Sequence, residues 1–188
     1  MKKAFLLASI LFISVISTAC INNFAVQELN NKAKDFMEKG DYISAIERLK
    51  SSIDLDGSVF ETQYNLAVAY TKAEDYDNAV KTYKNALKLN PDFADAYYSL
   101  AVCEENLAKD IISGNVIVSE DGTITKADDD DDDVDEKKIL TDSAVQMIVS
   151  LLNSAISDYQ IYSDKASAPD DISGKVEELN SLLETYNQ

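Results

Sequence analysis

The chain has 188 residues, with 34 Asp and Glu against 17 Lys and Arg, and a formal net charge of −17. Such an acidic chain is repelled by the phosphates of nucleic acids, so we exclude DNA and RNA as partners. The sequence lacks histidine, the commonest general base and metal ligand, and we find no catalytic motif. We therefore expect no enzyme activity, no cofactor and no specific metal site. Five Gly, two Pro and 46% hydrophobic residues favour a helical domain.

The N-terminal segment, residues 1–19, has the pattern of a secretory signal peptide: MKK, an apolar run over residues 4–16, and then STA before Cys20. The run is shorter than the roughly 18 to 20 residues that span a membrane. The cysteine after the small residues resembles a bacterial lipobox, although Ser17 stands where leucine is usual. The resemblance implies that Cys20 is lipidated and holds the protein on a membrane of the cell envelope, on a periplasmic or surface face. An ordinary signal peptide cleaved nearby would instead leave Cys20 as a thiol.

A helical pattern recurs at a fixed interval in the following part of the chain. The segment GDYISAIERLKSSIDLD, from Gly40, aligns with EDYDNAVKTYKNALKLN, from Glu74. In both segments an Asp can cap the start of a helix, and apolar residues follow at three- and four-residue steps. Small residues recur at the same interval, at Ala33, Ala67 and Ala101.

This pattern resembles the tetratricopeptide repeat (TPR), a unit of two helices and about 34 residues. The resemblance implies an all-α, TPR-like helical solenoid of about three helix pairs plus a C-terminal capping helix, because each pair buries its apolar face against the next. We expect a short lipid tether at residues 20–25 and a TPR-like domain at residues 26–188. The repeats span about residues 26–59, 60–93 and 94–168, and the capping helix about residues 170–187.

The third repeat departs from the pattern in two ways. In ADAYYSLAVCEENLA, Glu104 replaces the aromatic residue found at Phe36 and Tyr70, while Cys103 lies among apolar residues and is predicted to be a small buried thiol. The second helix is absent from its expected place. We expect it after an insertion at about residues 109–140, because AISDYQIY, within residues 141–166, resembles the earlier second helices.

The insertion combines a hairpin pattern with an acidic run. NVIVS and TITK alternate around EDG, which predicts two strands joined by a tight turn. An EF-hand calcium loop is rejected, since its first ligand position would fall on Ile117 and its twelfth on Asp128. The acidic run, residues 128–133, is predicted to be solvated, with at most loose cation binding.

TPR arrays line a concave groove with their first helices, so the resemblance implies that partner-binding residues lie on three helices. They are Asn30, Lys34 and Met37; Glu61, Tyr64, Val68, Thr71 and Lys72; and Asp95, Tyr98, Val102, Glu105 and Asn106. The tyrosines and valines would suit a docking peptide or helix. Alternatively, some of these tyrosines pack between repeats. Chaperone-binding relatives clamp a terminal carboxylate with cations and amides, and Asp95 and Ser99 at cation positions do not support that ligand.

The resemblance therefore predicts a non-enzymatic, lipid-anchored scaffold or adaptor of the bacterial cell envelope. The alternatives are a ligand-binding accessory lipoprotein of a solute transporter, which would have an enclosed pocket, and loose cation binding by the acidic insertion. Because the tether of residues 20–25 spans at most about 20 Å, we expect the partner to be a membrane-proximal envelope protein or peptide. Loss of Lys2 and Lys3 with the signal takes the charge from −17 to −19, which favours a basic contact surface on the partner.

Overall fold

The computed structural model describes residues 23–127, 140–167 and 169–187. It is mainly helical within these ranges, with one two-stranded hairpin. The described residues group into two compact units, one that ends at Ala73 and one that begins at Glu74. The elements are α1 (23–38), α2 (Tyr42–Leu55), α3 (Phe60–Lys72), α4 (Tyr76–Leu89), α5 (Ala94–Ser113), β1 (Val116–Val118), β2 (Ile124–Lys126), α6 (Asp142–Lys165) and α7 (Ser173–Tyr186). The predicted all-α, TPR-like fold is confirmed.

In the first unit, small residues let α1, α2 and α3 approach closely. Gly40, with a φ of +75°, provides the turn between α1 and α2, and Asp41 caps α2 by accepting a hydrogen bond from the Ser44 amide at 3.1 Å. Ala33 on α1 and Ala45 on α2 are both buried. The core that forms around them consists of Ala33, Ala45, Leu49, Leu66 and Ala69, with Phe36, Met37, Ile46, Ile53 and Tyr70 packed against it.

In the second unit, α5 packs against both α4 and α6, and α6 also contacts α7. The predicted displaced second helix is thus present as α6, and its buried face holds Ile148, Leu152, Ala155, Tyr159 and Tyr162. The predicted closing helix is present as α7, which buries Leu179. The predicted buried thiol is also confirmed, because Cys103 on α5 is completely buried.

Helix α5 is longer than the sequence pattern indicated. We expected the insertion to begin at about residue 109, but the helix continues through Ser113 and ends where Gly114 adopts a left-handed conformation with a φ of +79°. The extra turn is stabilised because it places Ile111 in the core, with 1% of its surface exposed. The C-terminal glycine then stops the helix.

The hairpin of the insertion is present as predicted. Strands β1 and β2 pair antiparallel, with Ile117 opposite Thr125, and Gly122 in the turn has a φ of +81°. The strand β1 contacts α5 and α6, and Val118 is buried there while Ile117 is 40% exposed. The predicted signal peptide with Cys20 and the acidic run of residues 128–133 lie outside the described residues.

Candidate partner-binding cleft

The first unit carries a concave cleft of about 450 Å³ between side chains of α1, α2 and α3. A volume of this size is in the range of small-ligand sites. Three of the predicted partner-binding residues, Asn30, Lys34 and Met37, line it together. The other lining residues are Asn31, Ala33, Glu38, Leu49 and Asn65.

Asn30 forms the inner wall of the cleft and holds the three helices together. Its amide nitrogen lies within hydrogen-bond distance of three acceptors, which share its two hydrogens: the Val26 carbonyl at 3.0 Å, Ser52 Oγ at 3.2 Å and Thr62 Oγ1 at 2.9 Å. Ser52 and Thr62 are themselves buried, so these bonds satisfy polar groups that would otherwise be costly. The Asn30 Oδ1 atom is buried and has no hydrogen-bond partner in the described chain. Asn30 is therefore mainly a structural residue of the cleft.

The rim of the cleft is polar and nearly neutral. Lys34 Nζ lies 3.9 Å from Glu38 Oε1, and both side chains are well exposed, which makes this a weak ion pair. Asn31 is exposed, Asn65 and Met37 are half-buried, and the floor is formed by the buried Ala33 and Leu49. The cleft thus offers amide donors and acceptors above an apolar floor.

Sequence reasoning missed Asn31, Glu38 and Asn65. A signal for two of them was present, because Asn31 and Asn65 are separated by the repeat interval and occupy equivalent positions of successive repeats. The same position in the third repeat is Ser99, whose hydroxyl donates to the Asp95 carbonyl at 2.9 Å.

The predicted residues of α3 do not line the cleft. Glu61 and Lys72 are exposed at the two ends of the helix, while Tyr64 and Val68 are half-buried between them. The Tyr64 ring stacks on Phe60, with centroids 5.9 Å apart. The Thr71 hydroxyl donates to the Ala67 carbonyl at 2.8 Å, a bond within its own helix. These side chains remain a predicted docking surface of α3.

The predicted residues of α5 lie in the second unit, where two of them pack against α6. Tyr98 contacts Tyr159 edge-on at 5.6 Å between centroids, and Tyr162 at 5.1 Å. Glu105 is buried and accepts a hydrogen bond from the Tyr159 hydroxyl at 2.9 Å. The other predicted residues of this helix are the exposed Asp95 and the half-buried Val102 and Asn106. For Tyr98, packing is therefore an observed role.

Glu105 forms ion pairs with lysines of two helices, α5 and α7. Lys109 Nζ lies 2.7 Å from its carboxylate, and Lys175 Nζ of α7 lies 3.5 Å away. Burial would raise the pKa of Glu105, but the bonds from Lys109 and Tyr159 outweigh it and the pKa is lowered. Lys109 also reaches Glu178 of α7 at 3.1 Å. Glu105 is thus an ionised structural residue that helps to attach α7.

A second acidic group of α5 is buried more deeply. Glu104 is fully buried, and its nearest cation is Lys84 of α4, 2.8 Å from its carboxylate. Burial raises the pKa of Glu104 to about 7, and Asp158 of α6 adds to the effect. Burial also raises the pKa of Asp158. No group of three or more His, Cys, Asp or Glu side chains in the described ranges is arranged to hold a metal ion.

Comparisons with known proteins locate the repeats. A profile described as a tetratricopeptide repeat matches residues 30–80, and one described as a TPR repeat matches residues 69–103. No curated protein matches the chain.

Within the described ranges, no helix is both long and apolar enough to span a membrane.

Solved TPR structures share the fold at low sequence identity. The second TPR domain of human RPAP3, solved with the HSP70 peptide SGPTIEEVD, is 16% identical with a TM-score of 0.58, covering 85% of this chain and 98% of that one. The Arabidopsis OM64 TPR domain is 12% identical with a TM-score of 0.58, covering 85% and 98%. The Yersinia enterocolitica type III secretion translocator chaperone SycD is 14% identical with a TM-score of 0.51, covering 86% and 82%.

Proposed function

We propose that this chain, in which residues 30–103 carry tetratricopeptide repeats, is a lipid-anchored, non-enzymatic adaptor that binds a partner protein of the bacterial cell envelope. TPR domains are protein-interaction modules, and the observation that carries the proposal is the cleft of the first unit. It brings Asn30, Lys34 and Met37 together with the equivalent pair Asn31 and Asn65.

The chemistry of the cleft favours a peptide segment as the ligand. Asn31 and Asn65 each carry an amide, which can donate to a peptide carbonyl and accept from a peptide N–H. The floor of Ala33 and Leu49 can take an apolar side chain, and the paired charges of Lys34 and Glu38 leave the rim without a dominant sign. An accessory protein that binds a small solute is the second candidate, because about 450 Å³ also suits a small molecule.

Acidic C-terminal peptides are unsuitable ligands for this chain. One TPR neighbour is solved with the HSP90 peptide SRMEEVD, which ends in acidic residues and a carboxylate. Here the exposed Asp95 and the Ser99 hydroxyl, which is bonded to its own helix, supply no cation, and the chain carries a charge of −17. We expect no calorimetrically detectable binding of SRMEEVD at physiological salt, and micromolar binding would overturn this part of the proposal.

The anchoring part of the proposal is carried by the lipobox-like sequence that ends at Cys20. Replacing Cys20→Ala should release the protein from membranes into the soluble fraction, because acyl chains on that thiol would be the main attachment. Mass spectrometry of the mature N-terminus should show the acyl mass on the wild type alone. Full retention of the Cys20→Ala protein on membranes would contradict lipidation as the anchor.

Site-specific crosslinking tests the cleft. A photo-crosslinking amino acid at Asn31, which is exposed on the cleft wall, should capture one envelope protein, whereas the same group at Lys50, exposed on α2 and outside the cleft lining, should not. Filling the cleft with Asn31→Trp should abolish co-purification of that protein, and Lys50→Trp should not. Equal capture from positions 31 and 50 would place the partner surface elsewhere.

A further inference from the structure

Two large apolar side chains are exposed at one end of the first helical hairpin. Phe24, in the first turn of α1, is 69% exposed, and Leu55, the last residue of α2, is 42% exposed. Single exposed apolar side chains are normal on a protein surface, and Ile43 at the other end of the hairpin is similarly exposed. What distinguishes Phe24 and Leu55 is their place, together at the end of the hairpin from which the chain leads back to Cys20.

The two residues lie at the same end because α1 and α2 run antiparallel. The helices are joined by a tight turn, where the Asp41 amide donates to the Phe36 carbonyl at 2.9 Å. Further along, Asn30 donates to Ser52 at 3.2 Å. Phe24 and Leu55 lie beyond that bond, at the open end. With a rise of about 1.5 Å per residue, the length of α1 from Phe24 to the turn is about 21 Å.

We infer that Phe24, with Leu55 at the same end, contacts the bilayer interface and acts as a second membrane anchor beside the lipid proposed on Cys20. This inference rests on the proposed lipidation. Only four residue steps separate Cys20 from Phe24, which limits the distance between them to about 14 Å. The headgroup region begins at the acylated residue, so an exposed ring at that distance lies within reach of the interface.

The role fits what lipid anchors require. An apolar side chain at the interface adds to the attachment that acyl chains provide, because both bury apolar surface in the membrane. The charges at this end of the hairpin indicate which lipid headgroups it should favour. Asp54 and Asp56 are exposed near Leu55, and Glu28 pairs with Lys32 at 2.6 Å. The local surface is thus acidic and should favour neutral, zwitterionic headgroups over anionic ones.

Tryptophan fluorescence can test the contact, because the chain has no tryptophan of its own. The mature acylated protein with Phe24→Trp is bound to phosphatidylcholine vesicles, with and without brominated acyl chains. We expect emission at shorter wavelength and strong quenching by bromine. The control is Ile43→Trp: Ile43 is similarly exposed, at 67%, but lies in the first turn of α2, at the opposite end of the hairpin. It should show neither change.

A binding measurement completes the test. In the acylated protein, Phe24→Ala should weaken partition onto phosphatidylcholine vesicles by roughly tenfold, while Ile43→Ala should leave it unchanged. If mass spectrometry shows the lipid but Phe24→Trp is not quenched, the inference fails and the proposed anchoring stands. If the mature protein carries no lipid, the anchoring part of the proposed function fails and the inference falls with it.

Discussion

Lys84 Nζ of α4 lies 2.8 Å from Oε1 of Glu104 on α5, whose side chain is completely buried. The carboxyl group of Asp158 on α6 interacts with the same Glu104. A buried and a half-buried carboxyl group therefore share one ammonium group where α4, α5 and α6 meet. Full ionisation would leave an excess negative charge in the interior, which is unfavourable in a low-dielectric environment.

We predict that Glu104 makes the protein less stable as the pH rises from about 4.5 to about 7. Burial raises its pKa to about 7 from an ordinary 4.5, so between these values the folded state binds the proton more readily than the unfolded state. The contribution to the free energy of unfolding is then greatest below about pH 4.5, falls up to about pH 7 and stays low above it. Urea unfolding from pH 5 to pH 8 should show that Glu104→Gln reduces this decline and stabilises the protein at pH 8 by about 1 to 3 kcal/mol.

The matched control for that measurement is Glu184→Gln, which removes an exposed carboxylate from α7. It should shift stability by less than about 0.5 kcal/mol and leave the pH dependence unchanged. If Glu104→Gln and the wild type lose stability in parallel from pH 5 to pH 8, the carboxyl group of Glu104 titrates normally and the prediction is wrong.

Removing the positive charge of Lys84 should destabilise the protein, whereas Glu104→Gln should stabilise it. Lys84→Met keeps the apolar stem but takes away the charge nearest to Glu104, so we expect a loss of about 3 kcal/mol at pH 8. At pH 5, where Glu104 is protonated in the folded state, the loss should be clearly smaller. The exposed Lys88 on the same helix provides the control, since Lys88→Met should change stability little at either pH. An equal loss at both pH values for Lys84→Met would show that packing, not charge, is responsible.

Tyr98 is predicted to stabilise the contact between α5 and α6. Tyr98→Ala removes a ring that lies 5.6 Å from Tyr159 and 5.1 Å from Tyr162, and it should lower the free energy of unfolding by about 2 to 3 kcal/mol. Tyr98→Phe keeps the ring and should stay within about 0.5 kcal/mol of the wild type. If Tyr98→Ala unfolds like the wild type in urea, the ring is available as the docking anchor that the repeat pattern suggested.

The hairpin offers a comparison between neighbouring residues on opposite faces. Val118 is 4% exposed and Ile117 is 40% exposed. We expect Val118→Ala to cost about 1 to 2 kcal/mol, because β1 packs on α5 and α6. Ile117→Ala should cost less than about 0.5 kcal/mol. Thermal unfolding of the two variants measures the difference, and equal small losses would mean that the insertion is only a surface excursion.

Much of the fold could be predicted from local sequence. The fixed repeat interval and the alanines at Ala33, Ala67 and Ala101 predicted helix pairs, because helical spacing and helix-crossing geometry are set by residues close together in the chain. The hairpin followed from strand alternation around Gly122. Asn31 and Asn65 are also separated by one repeat interval, but only the structure shows that both line the same cleft. Pattern alone misplaced the end of α5, since burial of Ile111 carries the helix through Ser113.

The electrostatics and the roles of the α5 side chains were decided by tertiary structure. The sequence marked Glu104 as a departure from the aromatic residues at Phe36 and Tyr70, but its partners Lys84 and Asp158 are distant in the chain and reach it only when α4 and α6 pack on α5. Likewise, Tyr98 has a position typical of a binding groove, yet it packs on Tyr159 of α6, which is distant from it in the chain. A repeat pattern determines which face of a helix is apolar. Which element covers that face depends on long-range packing, because it is set by the energy of the assembled core and not by any local spacing.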